Sequence, residues 1–157
     1  MNHATHRTPD LPEGTRFDVI DDPTPGERAV IDKGLQAHAA RLSVPLQREP
    51  LAIMLRDEDG DILAGLLAHW YAAHGACIIQ DLWVHEELRG RGIGHGLMMR
   101  LENELLMRGC RLIHLDLMDF QARDFFQDLG FEIVGSVAYP TSGRARLFLA
   151  KELTATG

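Results

Sequence analysis

Residues 80–96 read Gln-Asp-Leu-Trp-Val-His-Glu-Glu-Leu-Arg-Gly-Arg-Gly-Ile-Gly-His-Gly. Four glycines stand at alternate positions, Gly90, Gly92, Gly94 and Gly96, with Arg89, Arg91, Ile93 and His95 set among them. Glycine lets backbone N–H groups converge on one point, because no Cβ stands in the way. An apolar run, Ala76–Val84, leads into the turn and an amphipathic stretch follows at once. A helix N-terminus with its partial positive charge therefore backs the turn. Strand, glycine turn and helix form an anion cradle, and phosphate is the usual anion. Just upstream stand two groups that could take a proton, Asp81 and His85.

The spacing excludes two common phosphate loops. A G-x-G-x-x-G fingerprint from Gly90 would need a glycine at His95, and from Gly92 one at Leu97. No Gly-Lys-Ser/Thr follows, so a P-loop is absent too. What fits is Arg-x-x-Gly-x-Gly, formed by Arg89, Gly92 and Gly94.

The elements that must position these residues follow from pattern. Residues 1–14 are polar with Pro9, Pro12 and Gly14, and read as a flexible leader; residues 15–153 read as a single domain. Arg16–Ile20 alternates as a short strand, and Thr24-Pro25 opens a helix over Glu27–Arg41. Leu51–Leu55 and Ile62–Ala72 form a hairpin about the Gly60 turn, and Ala76–Val84 reads as a centre strand covered on both faces. A helix over Ile93–Arg108 buries Leu97, Leu101 and Leu105 and stops at Gly109. Then come a strand over Arg111–Met118, a short helix over Gln121–Leu129, and strands over Phe131–Val137 and Ala145–Lys151. This order gives an α/β fold with a mixed sheet flanked by helices.

With this order and the Arg89-x-x-Gly92-x-Gly94 turn, the chain resembles the Gcn5-related N-acetyltransferases, the GNAT superfamily. A second stretch, Asp119–Phe131, is similar to that family's Asn-x-x-Ala-x-x-Leu/Phe-Tyr-x-x-x-Gly-Phe signature, with Ala122, Phe125, Gly130 and Phe131 in register. The two motifs are separated by one helix and one strand, as in the family. The resemblance covers roughly Phe17 to Leu153 and is strongest from Ala76 to Gly135. It implies a mixed, mostly antiparallel sheet of about seven strands, with Leu42–Arg48 as a remnant of a second N-terminal helix.

The resemblance further implies acetyl-CoA as cosubstrate, its pyrophosphate held by Arg89, Gly90, Arg91, Gly92, Ile93, Gly94 and His95. Its pantetheine arm would lie between the Ala76–Val84 and Arg111–Met118 strands. Backbone groups of Leu82, Trp83 and Val84 would bond that arm, with Asp119 standing where an Asn often does so. Many relatives carry a glutamate base at or beside the position of Gln80, which takes no proton. Asp81 is next to it, expected on the other face of the strand and within an apolar run. A carboxylate is a weak base unless burial strengthens it, whereas an imidazole is better matched to neutral pH. Asp81, His85, a water or another residue thus stay open as base. The family's acidic tyrosine aligns with Phe126, which has no proton to give but whose ring edge should face the sulfur; Tyr139 or a water could substitute. His69, Trp70, Tyr71 and His74 either line the acceptor pocket or form a hairpin rim.

The implied activity is transfer of acetyl to a primary amine of a small molecule, peptide or protein. The alternative is a GNAT-fold acyl-CoA sensor or interaction module with little transferase activity. A net charge of −7 argues against nucleic acid as partner. No apolar run long enough to span a membrane is present, so no membrane partner and a cytoplasmic location are expected. No metal-ligand spacing is seen, and a homodimer is possible by analogy. Cys77 and Cys110 read as small buried residues.

Overall fold

The computed structural model describes residues 8–155. The first seven residues of the expected leader lie outside them. The chain divides into two compact units with the boundary between Leu42 and Ser43.

The first unit holds one helix, α1 (Pro25–Arg41). Its start is a capping box. The Glu27 N–H donates to Thr24 Oγ1 at 3.2 Å, and the Thr24 N–H donates to Glu27 Oε2 at 2.7 Å. Thr24 holds the Glu27 carboxyl below its ordinary pKa, through its backbone N–H first and its hydroxyl second. The expected strand over Arg16–Ile20 does not form. Alternation fits that stretch, but a strand exists only where a neighbour takes up its backbone groups.

The second unit is a six-stranded sheet, one fewer strand than expected, with β1 (Glu49–Arg56), β2 (Ile62–Tyr71), β3 (Ala76–Val84), β4 (Leu112–Met118), β5 (Glu132–Ala138) and β6 (Ala145–Glu152). The order across the sheet is β1-β2-β3-β4-β6-β5. All neighbours are antiparallel except β3 and β4. That parallel pair needs a crossover, supplied by α2 (Ile93–Met107). A short helix, α3 (Arg123–Asp128), joins β4 to β5. No helix forms over Leu42–Arg48, where Ser43 turns the chain at a φ of 55°.

The core lies between the sheet and α2. Leu97, Met98, Leu101 and Leu105 of α2 are buried with Leu66, Cys77, Ile113 and Leu149 of the strands. Cys77 and Cys110 are both free and fully buried. Burial, helped by the neighbouring Cys110, pushes the Cys77 thiol up to about 12. Only the first half of β3 is covered: Cys77 and Ile79 are buried, whereas Gln80, Asp81 and Trp83 are exposed. Among the described residues no helix is long and apolar enough to cross a membrane.

Candidate active site

The β3–β4 ladder has three rungs, Ala76↔Leu112, Cys77↔Ile113 and Ile78↔His114. Both strands run on, but apart, so β3 beyond Ile78 turns unpaired backbone groups toward β4. Such an edge inside a sheet can pair with an extended ligand arm. His69, Trp70 and Tyr71 pair with Ile78, Cys77 and Ala76, at the closed end of this fork. His74 is tied to the Pro45 carbonyl at 2.6 Å. Trp70 is buried in the core, and His69, Tyr71 and His74 lie away from the opening.

Gln80 interrupts β3. The β2–β3 register passes from Ala68↔Ile79 to Leu67↔Asp81, so Gln80 is an extra residue in a β-bulge. A bulge breaks strict alternation, and Gln80 and Asp81 both border the opening rather than taking opposite faces. Asp81 is exposed, contrary to the burial its apolar neighbours suggested.

The opening has two adjoining clefts, which share Leu82 and Ala122. The first, about 570 Å³, is bordered by Leu82, Trp83 and Val84 on one side. Arg89, Gly90 and the Gly92–His95 segment face them, while Arg91 does not border it. Gly92 caps α2 at a φ of 78°, in the left-handed region, and no atom lies within 4 Å of where its Cβ would be. The first bond inside α2 runs from Gly96 N–H to Gly92 C=O at 3.0 Å. The N–H groups of Ile93, Gly94 and His95 thus have no acceptor within the helix, and the cap supplies none. Three uncommitted N–H groups at a helix start are the donor set an anion requires. Arg89 Nε donates to the Val84 carbonyl at 3.1 Å and ties the turn to β3.

Gly94 serves a different purpose. A Cβ there would stand 3.3 Å from the Phe125 ring, so α3 packs directly on the first turn of α2. Phe125 meets Phe126 edge to face at 5.1 Å, and Phe126 meets Phe131 likewise at 5.4 Å. Phe126 is buried but borders the second cleft, about 560 Å³, together with Gln80, Asp81, Asp116 and Arg146.

Asp119 extends the β4–β6 ladder. Its N–H donates to the Ala145 carbonyl at 2.9 Å, and its Oδ2 accepts from the Ala145 N–H at 3.1 Å. Oδ1 faces Arg144 at 3.6 Å, an ion pair too long to count as a hydrogen bond, and is buried without a hydrogen-bond partner. Asp119 itself borders neither of the two clefts. His85 starts the turn Glu86–Leu88, its Nδ1 accepting from the Glu87 N–H at 3.3 Å. In the neutral ring this puts the proton on Nε2. His85 packs edge to face on Trp83 at 6.0 Å and borders neither cleft.

A group that the sequence leaves unconnected also borders the second cleft. Arg146 of β6 donates from Nε to Tyr139 Oη at 2.9 Å and from Nη1 to Asp116 Oδ2 of β4. Tyr139 and then Asp116 hold the guanidinium above its already high pKa, so it stays charged. The available signal was alternation: His114, Asp116 and Met118 fall on the less buried face of β4.

The sequence profile of the Acetyltransferase (GNAT) family matches residues 18–131. An acetyltransferase of Agrobacterium fabrum is 32% identical over 125 residues, 80% of this chain and 89% of that protein. A blasticidin-S acetyltransferase of Streptomyces morookaense is 30% identical, over 73% of this chain and 86% of that one. The crystal structure of an acetyltransferase from Bacillus cereus superposes with a TM-score of 0.72 at 28% identity, covering 87% of this chain and 98% of that one. With the forked β3–β4 pair and the glycine turn in place, the chain belongs to the GNAT acetyltransferase family and is an acetyltransferase.

Proposed function

We propose that this protein moves the acetyl group of acetyl-CoA onto a primary amine. The observation that carries this reading is the juxtaposition of an unpaired β3 edge with three uncommitted N–H groups at the start of α2. The turn from Arg89 to His95 would hold the pyrophosphate, with Arg91 adding local positive charge in a chain of net −7. The backbone of Leu82–Val84 would bond the pantetheine arm and polarise the thioester oxygen, because N–H donors aimed at a developing oxyanion lower the barrier most. Asp119 Oδ1 lacks a hydrogen-bond partner but is buried against Arg144, so it would accept from an amide of that arm only once Arg144 shifts. Thioester activation is what the CoA moiety supplies.

Asp81 suits the amine side. It borders the second cleft, and a carboxylate there can take the amine's proton directly or through one water. His85 suits it less, with its Nδ1 lone pair committed and its ring outside the cleft. The named relatives are acetyltransferases, which favours an enzyme over a binding module. Similarity to a blasticidin-S acetyltransferase supports a small-molecule amine as acceptor. We also propose that residues 15–153 act as one domain, since the family match starts at residue 18. A thioester donor of central metabolism makes the cytoplasm the fitting compartment. The test is release of free CoA thiol across a panel of amines. Amine-dependent release supports transfer, and acetyl-CoA binding with no release for any amine would favour the sensor.

A further inference from the structure

The second cleft combines a phenylalanine that offers no proton with a guanidinium braced from two sides. Arginine has five N–H donors. Nε is spent on Tyr139 and one Nη1 hydrogen on Asp116, and the other three have no protein acceptor among the described residues. The Tyr139 backbone is held in the β5–β6 turn, its N–H donating to the Arg144 carbonyl at 2.7 Å. The Arg146 side chain is 34% exposed, so its open edge is reachable. Arg146 and Phe126 border the same cleft.

We propose that Arg146 stabilises the CoA thiolate as it departs, in place of a phenol at position 126, with Tyr139 and Asp116 as the residues that position it. This rests on the acetyl-transfer reading above. The amine nitrogen forms a bond to the thioester carbonyl carbon, and the C–S bond breaks with its electron pair on sulfur. The amine's proton goes to Asp81 or water, and sulfur leaves as an anion beside the guanidinium. It needs no proton inside the site, which accounts for Phe126. A cation beside a thiol favours its thiolate. The other charged or titratable groups facing this space are Asp81 on β3, and Asp116 with His114 two residues before it on β4. Tyr139 meets Arg146 from the β5–β6 turn without bordering the cleft, while α3 and its lead-in offer only the uncharged Gln121, Ala122 and Phe126. Asp81 opposes a thiolate, and under this proposal the Arg146 guanidinium outweighs it, so that binding lowers the thiol's pKa in the parent protein.

The experiment compares binding of CoA and desulfo-CoA by calorimetry from pH 6.5 to 9.5. Desulfo-CoA lacks the thiol, so the ratio of the two affinities reports the sulfur alone. If binding lowers the thiol's pKa, the ratio in favour of CoA rises through the bound pKa and levels off above the free one. About tenfold is expected, the equivalent of one pKa unit. Arg146→Gln should flatten the curve and leave desulfo-CoA affinity unchanged, Arg146→Lys should keep part of the rise, and Tyr139→Phe should reduce it. A flat curve in the parent protein overturns the proposal and needs no variant to fold. A full rise in Arg146→Gln overturns it as well, by assigning the effect to another group. Failure of the parent to bind either ligand would instead overturn the acetyl-transfer reading.

Discussion

Replacing Gly92, Gly94 and Gly96 by alanine, one at a time, should give three different outcomes. At Gly92 an alanine must hold a φ of 78°, and its methyl meets no atom within 4 Å. The folding penalty is then the left-handed backbone alone, about 1–2 kcal/mol. For a chain of this length each kcal/mol moves Tm by about 2–4 °C, so a fall of about 2–8 °C is expected. The methyl also enters the first cleft, where Gly92 is a lining residue. Keeping a phosphate oxygen off one N–H would weaken acetyl-CoA binding by on the order of tenfold to a hundredfold, the equivalent of one charge-assisted bond. Gly96 is helical, exposed and has open space around it. Alanine there gains about 0.8–1 kcal/mol of helix propensity and should raise Tm by about 2–4 °C without weakening binding. Gly94→Ala pushes on Phe125 at 3.3 Å, so its helix gain and its crowding oppose each other and stability should change little. Thermal melts and calorimetry on the four proteins settle it. Equal loss of binding for Gly92→Ala and Gly96→Ala would refute the division of labour. Parent-like Tm and affinity in Gly92→Ala would refute the cradle.

Asp81→Asn should lower amine-dependent turnover by roughly 10²–10⁴-fold if the carboxylate is the base, with acetyl-CoA affinity unchanged; unchanged turnover would reduce Asp81 to a surface residue. Phe126→Tyr should raise turnover by no more than on the order of tenfold, since a retrofitted phenol lacks a supporting shell and Arg146 already serves the sulfur; a rise near a thousandfold would show that an acid was the missing element. Cys77 and Cys110 should resist a thiol reagent until the protein unfolds. The unfolded Cys77 thiol ionises near 9.0 and the folded one near about 12, so its contribution is complete below pH 9 and lost as pH rises toward 12, which melts at pH 8 and pH 10 would detect.

Local chemistry made most of the frame legible before any coordinates. The Ala76–Val84 run is β3 to the residue, and the leucine repeat of α2 is its buried face. Thr24 with Pro25 and Glu27 states the start of α1 in its residue types alone. Alternating glycines hid their differences, because helical and left-handed glycines look alike as letters. α3 starts at Arg123, two residues later than its residue types suggest. Gln121 Oε1 accepts the Met118 N–H at 2.7 Å, and Ala122 takes a non-helical conformation. The bulge at Gln80 is a property of two strands in register, so β3 by itself gives no sign of it, and with it went the expected face of Asp81. The Tyr139–Arg146–Asp116 contact joins residues 30 apart in sequence between Asp116 and Arg146, and only the β4–β6 pairing brings them together.

Where the donor lies decides between these readings most directly, and a crystal structure of the acetyl-CoA complex measures that. We predict the pyrophosphate within about 3 Å of the Ile93, Gly94 and His95 nitrogens, the pantetheine arm along β3 past Ile78, and the sulfur between Phe126 and Arg146. An acyl-CoA bound elsewhere on the sheet, or a sulfur remote from both side chains, would contradict it.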